Sequence, residues 1–256
     1  MNFGDRQYFN LLREISFTQF KIKDQSTFFG FFWSFLHPLL LLSVLVLVFS
    51  FRFGQEVKHY PVFVLIGIIQ YAHFSNCTNI SMKTLRSMGN LTCNVIFPKE
   101  LMVIGSVLGN SVEFVLSMII CIFIAYFLGV NISWAILLFP VIFVFQLILV
   151  LWISIVLSCL YIFIKDIGHI YQVFLRILFF STPIFYSLSS IENNLARKLI
   201  SLNPLTYLIS FSRDLIIDGK VFSFKVAYWF FFLNIILLYG AIKLFRKIER
   251  NLAEYV

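Results

Sequence analysis

The sequence contains few charged residues. Asp, Glu, Lys and Arg together make up 12% of its 256 residues, about half the share of an average soluble domain. Hydrophobic residues make up 60% and aromatic residues 19%. A soluble globule of this composition would expose apolar patches that aggregate. The composition therefore excludes a water-soluble protein and favours one that is embedded in lipid.

Chemically reactive side chains are also few, and they are scattered. The four cysteines show no CxxC spacing and the four histidines do not cluster; they are Cys77, Cys93, Cys121, Cys159, His37, His59, His73 and His169. This spacing disfavours disulfides, metal sites and a membrane-embedded enzyme. A GxxxxGK(S/T) phosphate loop is absent, and the polar stretches are too short for a nucleotide-binding domain. We expect a chain that is not an enzyme by itself and holds no cofactor.

Long apolar runs dominate the sequence instead. A bilayer core about 30 Å thick needs about 20 helical residues to cross it. Six runs approach or exceed this length: 30–51, 61–81, 103–129, 134–163, 168–187 and 223–245. They predict an all-α integral membrane protein with six transmembrane helices in a domain that covers residues 30–256.

The net charge of +8 is spread over short basic clusters between these runs. A nucleic-acid-binding face would need one continuous basic stripe, so the clusters indicate orientation in a membrane. Six crossings place both termini on the same side, and Lys and Arg are more numerous on that side. The positive-inside rule then predicts that both termini are cytoplasmic.

Residues 1–29 have a different pattern. In a helix, one face would be apolar and the other charged; the apolar face carries Tyr8, Leu11, Leu12, Ile15 and Ile22, and Phe9, Phe17 and Phe20 fall outside it. This pattern predicts an amphipathic helix in the membrane interface. Such a helix is either a simple anchor or a contact for a cytoplasmic partner.

The segment 188–222 is too polar to cross the bilayer, although apolar residues recur along it. Asn203-Pro204 divides it into two short helices, because proline disfavours helical geometry at the residue before it. Backbone that leaves a helix at membrane depth is tolerated only where protein or a water-filled cavity covers it. We therefore predict two re-entrant or surface helices that form an external gate.

Three sets of motifs follow one another along nearly the whole chain. They are Gly30-Phe31-Phe32-Trp33 with His37-Pro38-Leu39; Asn94-Val95-Ile96-Phe97-Pro98-Lys99-Glu100; and Ser181-Thr182-Pro183-Ile184-Phe185-Tyr186 with Leu202-Asn203-Pro204-Leu205, Arg213 and Gly219. Together they resemble the membrane subunit of ABC-2 type ABC exporters, particularly permeases for O-antigen, capsule or teichoic acid polymers. In that family the second set belongs to a cytoplasmic coupling loop, and the third to an external gate. By resemblance, Pro183, Asn203 and Pro204 are gate residues.

The resemblance implies a homodimer in the bacterial inner membrane, with the translocation path at the dimer interface. It also implies two separate ABC ATPase subunits, which bind ATP and Mg, and a lipid-linked polysaccharide as substrate. ATP-driven closure would push on the loop 82–102; the coupling residues would be Val95, Ile96, Phe97, Pro98, Lys99 and Glu100. Phe97-Pro98 would end a short helix and leave Lys99 and Glu100 exposed to a partner. A plain connecting loop is the alternative.

Glu113 and Arg176 are the charges that lie deepest inside the predicted spans. A lone charge in the bilayer is costly, so each needs a partner or water. Both lie at similar depths in helices that run in the same direction. We predict that they pair, either as a structural salt bridge or as part of the substrate path.

A polysaccharide path needs many weak contacts, and tyrosines combine a hydroxyl with a ring that packs on sugar faces. The candidates are Tyr71, Tyr161, Tyr171 and Tyr186. Basic residues near the cytoplasmic interface would attract a lipid-linked pyrophosphate; the candidates are Lys21, Lys23 and Arg86, which otherwise only fix topology. His37 and His73 are expected to be structural.

Two other functions compete with polysaccharide export. An ABC-2 exporter of a drug or a small lipid would have a similar sequence, and only the high aromatic content favours a glycan. A secondary transporter would show inverted repeats and broken helices with ionisable residues near the midplane, and no convincing repeat is present in the sequence.

Overall fold

The computed structural model describes residues 5–24, 33–55, 57–87 and 98–249. Every regular element in these ranges is helical: α1 (Asp5–Asp24), α2 (Trp33–Phe53), α3 (Tyr60–Ser87), α4 (Glu100–Phe127), α5 (Phe139–Phe163), α6 (Ile167–Ser181), α7 (Asn194–Ser201), α8 (Pro204–Ile216) and α9 (Phe224–Glu249). Short 3₁₀ helices, Trp134–Leu138 and Leu188–Ser190, precede α5 and α7.

Four helical segments in these ranges are long and apolar enough to cross a membrane: Phe35–Phe53, Glu100–Phe127, Trp134–Phe163 and Phe224–Glu249. They coincide closely with four of the six apolar runs, because a lipid-facing helix needs a long uninterrupted apolar stretch. The all-helical membrane architecture is thereby confirmed.

The helix α3 lies at the centre of the fold and packs against α2, α4, α5, α6 and α8. Its buried side chains include apolar residues such as Val64 and Ile68 and polar residues such as Gln70, Thr78 and Ser81. The polar residues lower its hydropathy. A position among five other helices lets these polar groups form hydrogen bonds inside the protein, so they avoid contact with lipid.

The helix α6 ends earlier than the apolar run predicts. The run 168–187 continues past Ser181, but α6 stops there, and Thr182 has extended backbone angles of φ −88° and ψ 137°. Pro183 follows and has no N–H to continue the helix. At about 1.5 Å per residue, a helix of 15 residues is only about 22 Å long. The predicted end of this span is therefore wrong.

The amphipathic helix α1 packs against α4. Leu11, Leu12 and Ile15 are half-buried, as the apolar stripe predicts, and Phe9 remains exposed. The contact depends on Gly105 of α4, because a Cβ atom there would lie 2.6 Å from Ile15 Cγ2. The absence of a side chain at Gly105 thus lets the two helices approach closely.

The predicted break at Asn203-Pro204 is present. It separates α7 from α8, and the Asn203 side chain accepts a hydrogen bond from the Leu205 N–H at 3.0 Å. Pro204 occupies the first turn of α8, where its missing N–H costs nothing. An asparagine cap followed by proline therefore begins α8 at this point.

Candidate functional site

A buried arginine organises the backbone that follows α6. Residues 182–185, which we call the strap, leave helical geometry after α6 and bend, and the Ile184 N–H donates to Thr182 O at 2.7 Å. The Arg213 guanidinium of α8 donates from Nη1 to Pro183 O at 2.8 Å and from Nη2 to Ile184 O at 2.7 Å. It also donates to Phe63 O from Nε at 3.2 Å and from Nη2 at 3.0 Å, and its Cζ lies 3.3 Å from the centre of the Phe63 ring. We call Arg213 and these three acceptor residues the Arg213 clamp.

The clamp satisfies backbone groups that have left helical geometry. Buried carbonyl groups need hydrogen-bond partners, because leaving one unsatisfied costs free energy. The Tyr60 hydroxyl serves the next carbonyl and donates to Phe185 O at 2.9 Å. Gly67 makes room for the strap, since a Cβ atom there would lie 3.1 Å from Ile184 Cα and from Arg213 Nη2. The strap is therefore fixed by α8 on one side and by α3 on the other.

Two of the predicted gate residues meet at this clamp. Pro183 is buried within the strap, and the Asn203 Nδ2 donates to Thr182 Oγ1 at 2.8 Å. Pro204 begins α8, the helix that carries Arg213. The start of α8 is thus joined directly to the end of α6.

A cleft of about 350 Å³ opens beside the clamp; its lining includes Lys58, Ser187, Arg213, Asp214 and Asp218. Burial raises the pKa of Asp214, and the nearby Asp218 raises it further, while Lys220 lowers it. The cleft therefore carries charges of both signs.

The opposite end of the bundle is held by an ion pair. The Arg246 side chain of α9 donates from Nε to Glu100 Oε2 at 3.2 Å and from Nη2 to Glu100 Oε1 at 3.0 Å. The Lys99 N–H donates to Glu249 Oε1 at 3.0 Å. Glu100 is only 6% exposed, so the expectation that it faces a partner is wrong. Lys99 and Pro98 are half-buried.

A second cleft, of about 310 Å³, lies between α3 and α6. We call it the α3–α6 cleft; its lining residues are Tyr71, Ser75, Asn76, Asn79, Leu175, Arg176, Phe179 and Phe180. Above and below it, the Tyr71 hydroxyl donates to Leu175 O, and the Tyr171 hydroxyl donates to Thr78 Oγ1 at 2.7 Å. The hydroxyl groups of two predicted path tyrosines therefore hold α3 and α6 together.

A family model for ABC-2 type transporters matches residues 12–217. This range covers most of α1 and all of α2 to α8, including the clamp, the α3–α6 cleft and every lining residue of the first cleft except Asp218. The chain belongs to the ABC-2 type transporter family. Its membership confirms the resemblance carried by the three sets of sequence motifs.

Curated relatives of this ABC-2 protein extend the match over nearly its full length. An O-antigen export system permease protein RfbA from Myxococcus xanthus is 27% identical over 251 residues, which cover 98% of this chain and 96% of the relative. Two proteins of the same name from Klebsiella pneumoniae are 24% identical over 250 residues, which cover 96% of this chain and 95% of each relative.

The remaining predicted site residues of this ABC-2 chain lie apart from one another. Tyr161 is half-buried beside Gly168, and the Tyr186 hydroxyl donates to Phe180 O and Ser181 O, both at 3.3 Å. The role of the four tyrosines in a path stays a prediction. Val95, Ile96, Phe97 and the side chains of Lys21 and Lys23 lie outside the described residues.

The predicted intramembrane pair and the third pyrophosphate candidate fall at separate places. Glu113 is half-buried on α4, while Arg176 is exposed on α6 and lines the α3–α6 cleft. The two side chains form no ion pair within the described residues of one chain, and their pairing in the assembled protein stays a prediction. Arg86 is half-buried in the last turn of α3, and its attraction for a pyrophosphate likewise stays a prediction.

Sequence reasoning missed a buried polar network that joins four helices of this ABC-2 fold. The Gln70 Nε2 donates to Ser212 Oγ, and the Gln146 Nε2 lies 3.2 Å from both Gln70 O and His73 Nδ1. His73 Nε2 lies 3.1 Å from Ser111 Oγ. The network links α3 with α4, α5 and α8. Glutamine in an apolar span was the available signal, because a buried amide requires partners.

Proposed function

We propose that this chain is the membrane-spanning permease subunit of an ATP-driven exporter that moves lipid-linked polysaccharide of the O-antigen type across the bacterial inner membrane. The observation that carries this proposal is the similarity, over nearly the full length, to three O-antigen export permeases. Family membership and the all-helical membrane architecture support it. ATP and Mg are bound by a separate ABC ATPase subunit.

The proposed topology has six crossings, formed by α2, α3, α4, α5, α6 and α9. The helix α1 lies in the cytoplasmic interface, and both termini are cytoplasmic. The helix α3 qualifies by length, with 28 residues, and its polar side chains are buried by neighbouring helices. The strap extends the short α6 toward the outer surface. In this orientation the Glu100–Arg246 pair lies on the cytoplasmic side, and the Arg213 clamp lies on the outer side.

The active assembly is a homodimer with two ABC ATPase subunits, which press on the loop 82–102. Val95 to Glu100 form the coupling site. The buried Glu100 carboxylate ties the start of α4 to Arg246 near the end of α9, so a push on this loop moves both helices together. Lys99, which is half-buried, remains available for direct contact with the ATPase.

The gate consists of α7, α8 and the strap. Pro183 shapes the strap, and Asn203 with Pro204 begins α8. Arg213 fixes the strap against α3 and α8. Movement of α6 is therefore transmitted to the gate helices through hydrogen bonds to the strap.

Co-expression with an ABC ATPase from the same genome tests this function. The complex is purified and reconstituted in lipid vesicles, and ATP hydrolysis is measured with and without a lipid-linked glycan. We expect a stable complex whose hydrolysis rises with the glycan. Stimulation by small amphiphiles alone would favour a drug or small-lipid exporter, and failure to bind any ABC ATPase would contradict the proposal.

A further inference from the structure

The α3–α6 cleft is held open by antiparallel contacts at both of its ends. Tyr71 of α3 bonds to Leu175 of α6, and Thr78 of α3 bonds to Tyr171 of α6. Ascending residue numbers on one helix thus meet descending numbers on the other. Because these two hydrogen bonds fix the spacing of the helices, the cleft of about 310 Å³ is a built feature of the fold.

Arg176 lines this cleft without a partner among the described residues. It is exposed and makes no hydrogen bond or ion pair with the residues that the structure describes. From Ile170 to Phe180 the other exposed residues of its helix are apolar; Ile170, Val173 and Ile177 are 65%, 54% and 61% exposed, and the exposed His169 lies about two turns before Arg176. An arginine that faced hydrocarbon would be strongly unfavourable, so this part of α6 must meet water, a ligand or another subunit.

Asn79 offers a hydrogen-bond acceptor in the same cleft, whereas Arg176 offers hydrogen-bond donors. Its Oδ1 atom is buried and accepts no hydrogen bond from the described residues. Asn76 beside it is exposed and forms no side-chain hydrogen bond within the described part of the chain, so its amide can donate or accept. A ligand that satisfies both Arg176 and Asn79 must present an anionic group and a hydrogen-bond donor. A phosphate attached to a hydroxylated sugar has both, whereas an apolar drug would leave both side chains unsatisfied.

Aromatic rings form one wall of the cleft. The Phe179 ring lies 5.1 Å from the Tyr71 ring and 5.4 Å from the Phe180 ring, edge to face in both cases. Phe180 is 65% exposed. The apolar face of a sugar packs well on such rings. The wall therefore suits the sugar part of the same ligand.

We propose that the α3–α6 cleft binds the phosphate-bearing end of the exported glycan, with Arg176 on the phosphate, Asn79 on a sugar hydroxyl and the Phe179–Phe180 wall against the sugar ring. This inference rests on the proposed function and names a contact point on its path. In this assignment the Tyr71 hydroxyl shapes the cleft, because it donates to Leu175 O.

The depth of the cleft argues against a resident lipid headgroup as the phosphate source. In the proposed topology α6 begins at the cytoplasmic side, and Arg176 lies nine residues beyond its start at Ile167, which at about 1.5 Å per residue is about 14 Å along the helix. Headgroup phosphates stay at the surface of a hydrocarbon core about 30 Å thick. A phosphate at Arg176 is therefore one that is moving across the membrane.

The test uses the full complex with its ABC ATPase, reconstituted in phosphatidylcholine vesicles. ATP hydrolysis is titrated with the lipid-linked glycan and with the same glycan released from its lipid and dephosphorylated. We expect Arg176→Gln to raise the half-maximal concentration of the phosphorylated form by about tenfold, the usual loss for a hydrogen-bonded charge. The dephosphorylated form should act equally on both proteins. The matched control Arg52→Gln, at an exposed arginine at the end of α2, should leave both titrations unchanged.

Three results would overturn the inference while leaving the proposed function intact. The first is an unchanged response of Arg176→Gln to the phosphorylated glycan. The second is an equal loss for both glycan forms, which would remove the phosphate from the assignment. The third is an effect that appears only when phosphatidylglycerol is added to the vesicles, which would indicate a headgroup site. A wild-type complex that no glycan stimulates would instead contradict the proposed function.

A second measurement keeps the inference testable if Arg176→Gln does not assemble. The Asn76→Cys variant retains Arg176 and places a thiol at the exposed edge of the cleft. Its maleimide labelling, followed by peptide mass, should slow several-fold when the phosphorylated glycan is added. Labelling at the same rate with and without that glycan would show that the cleft stays empty.

Discussion

The two ends of the helix bundle are each held by an arginine, but the two arginines bind different groups. Arg213 is buried and donates to three backbone carbonyls. The Arg246 side chain is 67% exposed and binds the buried carboxylate of Glu100. The Arg213 contact depends on the position of backbone carbonyls, and the Arg246 contact depends on the negative charge of a carboxylate. An agent that changes charge or salt should therefore affect the α4–α9 end far more than the clamp.

The same difference explains what each end does in the proposed exporter. A carbonyl clamp holds only while the strap keeps its conformation, so it stabilises one arrangement of α6 and α8. A partly exposed ion pair is weak and responds to nearby charges. It suits an end where another protein docks.

The largest expected effect is at the clamp itself. Arg213→Gln removes most of the donors and leaves carbonyls of Phe63, Pro183 and Ile184 unsatisfied, so we expect a loss of about 3 kcal/mol or more in stability. Thermal unfolding of the purified protein measures it. Arg52→Gln serves as the control because Arg52 is exposed. A variant as stable as the wild type would mean that the clamp does not hold the strap.

The next effect tests the clamp without touching its arginine. Gly67→Ala places a Cβ atom 3.1 Å from the Ile184 backbone, and such overpacking costs about 1–3 kcal/mol. Gly240→Ala is the matched control, because nothing lies within 4 Å of its Cβ position. Melting temperatures of the two variants should differ by several degrees, with Gly67→Ala lower. Equal values would show that the strap shifts freely away from α3.

A smaller effect is expected for the ion pair at the other end. A double-mutant cycle with Glu100→Gln and Arg246→Gln should give a coupling energy of about 1 kcal/mol, since solvent screens the exposed Arg246. The coupling should fall in high salt, whereas the effect of Arg213→Gln should not. Lys247→Gln, in the same turn as Arg246, is the control. A coupling energy that does not change with salt would contradict the claim that the two ends respond differently to salt.

The smallest expected effect is on the pH dependence of stability and comes from Asp214, which lies beside the clamp. Burial, followed by Asp218, raises the pKa of Asp214 in the folded protein. The folded state therefore favours the protonated carboxyl, and the stability that protonation brings is lost as the pH rises through that raised pKa. Asp214→Asn should remove this part of the pH dependence and raise the melting temperature slightly at neutral pH. Identical pH profiles for the variant and the wild type would contradict this explanation.

Hydropathy predicted the long helices well but failed at the end of α6. The reason is that hydropathy measures polarity and not backbone geometry. Ile184 and Phe185 are apolar, so the run continues, yet Pro183 has already ended the helix. The break at Asn203-Pro204 was predictable, because the cap and the proline are local signals.

Local sequence patterns could not predict contacts between residues that are far apart in the chain. Glu100 was expected to be exposed because it follows a proline in a polar loop, but its partner Arg246 lies 146 residues further along. Tyr71 and Tyr171 were candidates for a substrate path, and the sequence does not show that their hydroxyls form hydrogen bonds between α3 and α6. Tertiary packing decides which polar groups remain free for a ligand.

The contact between Ile15 of α1 and Gly105 of α4 has a consequence for how the chain is made. These residues lie 90 positions apart (105 − 15), and a ribosome adds about 5–20 residues per second. The helix α1 thus leaves the ribosome roughly 5 to 20 s before its partner, while α2 and α3 are still being inserted. Because α1 is amphipathic, it can bind to the membrane surface during synthesis. It then packs against α4 after that helix has been inserted.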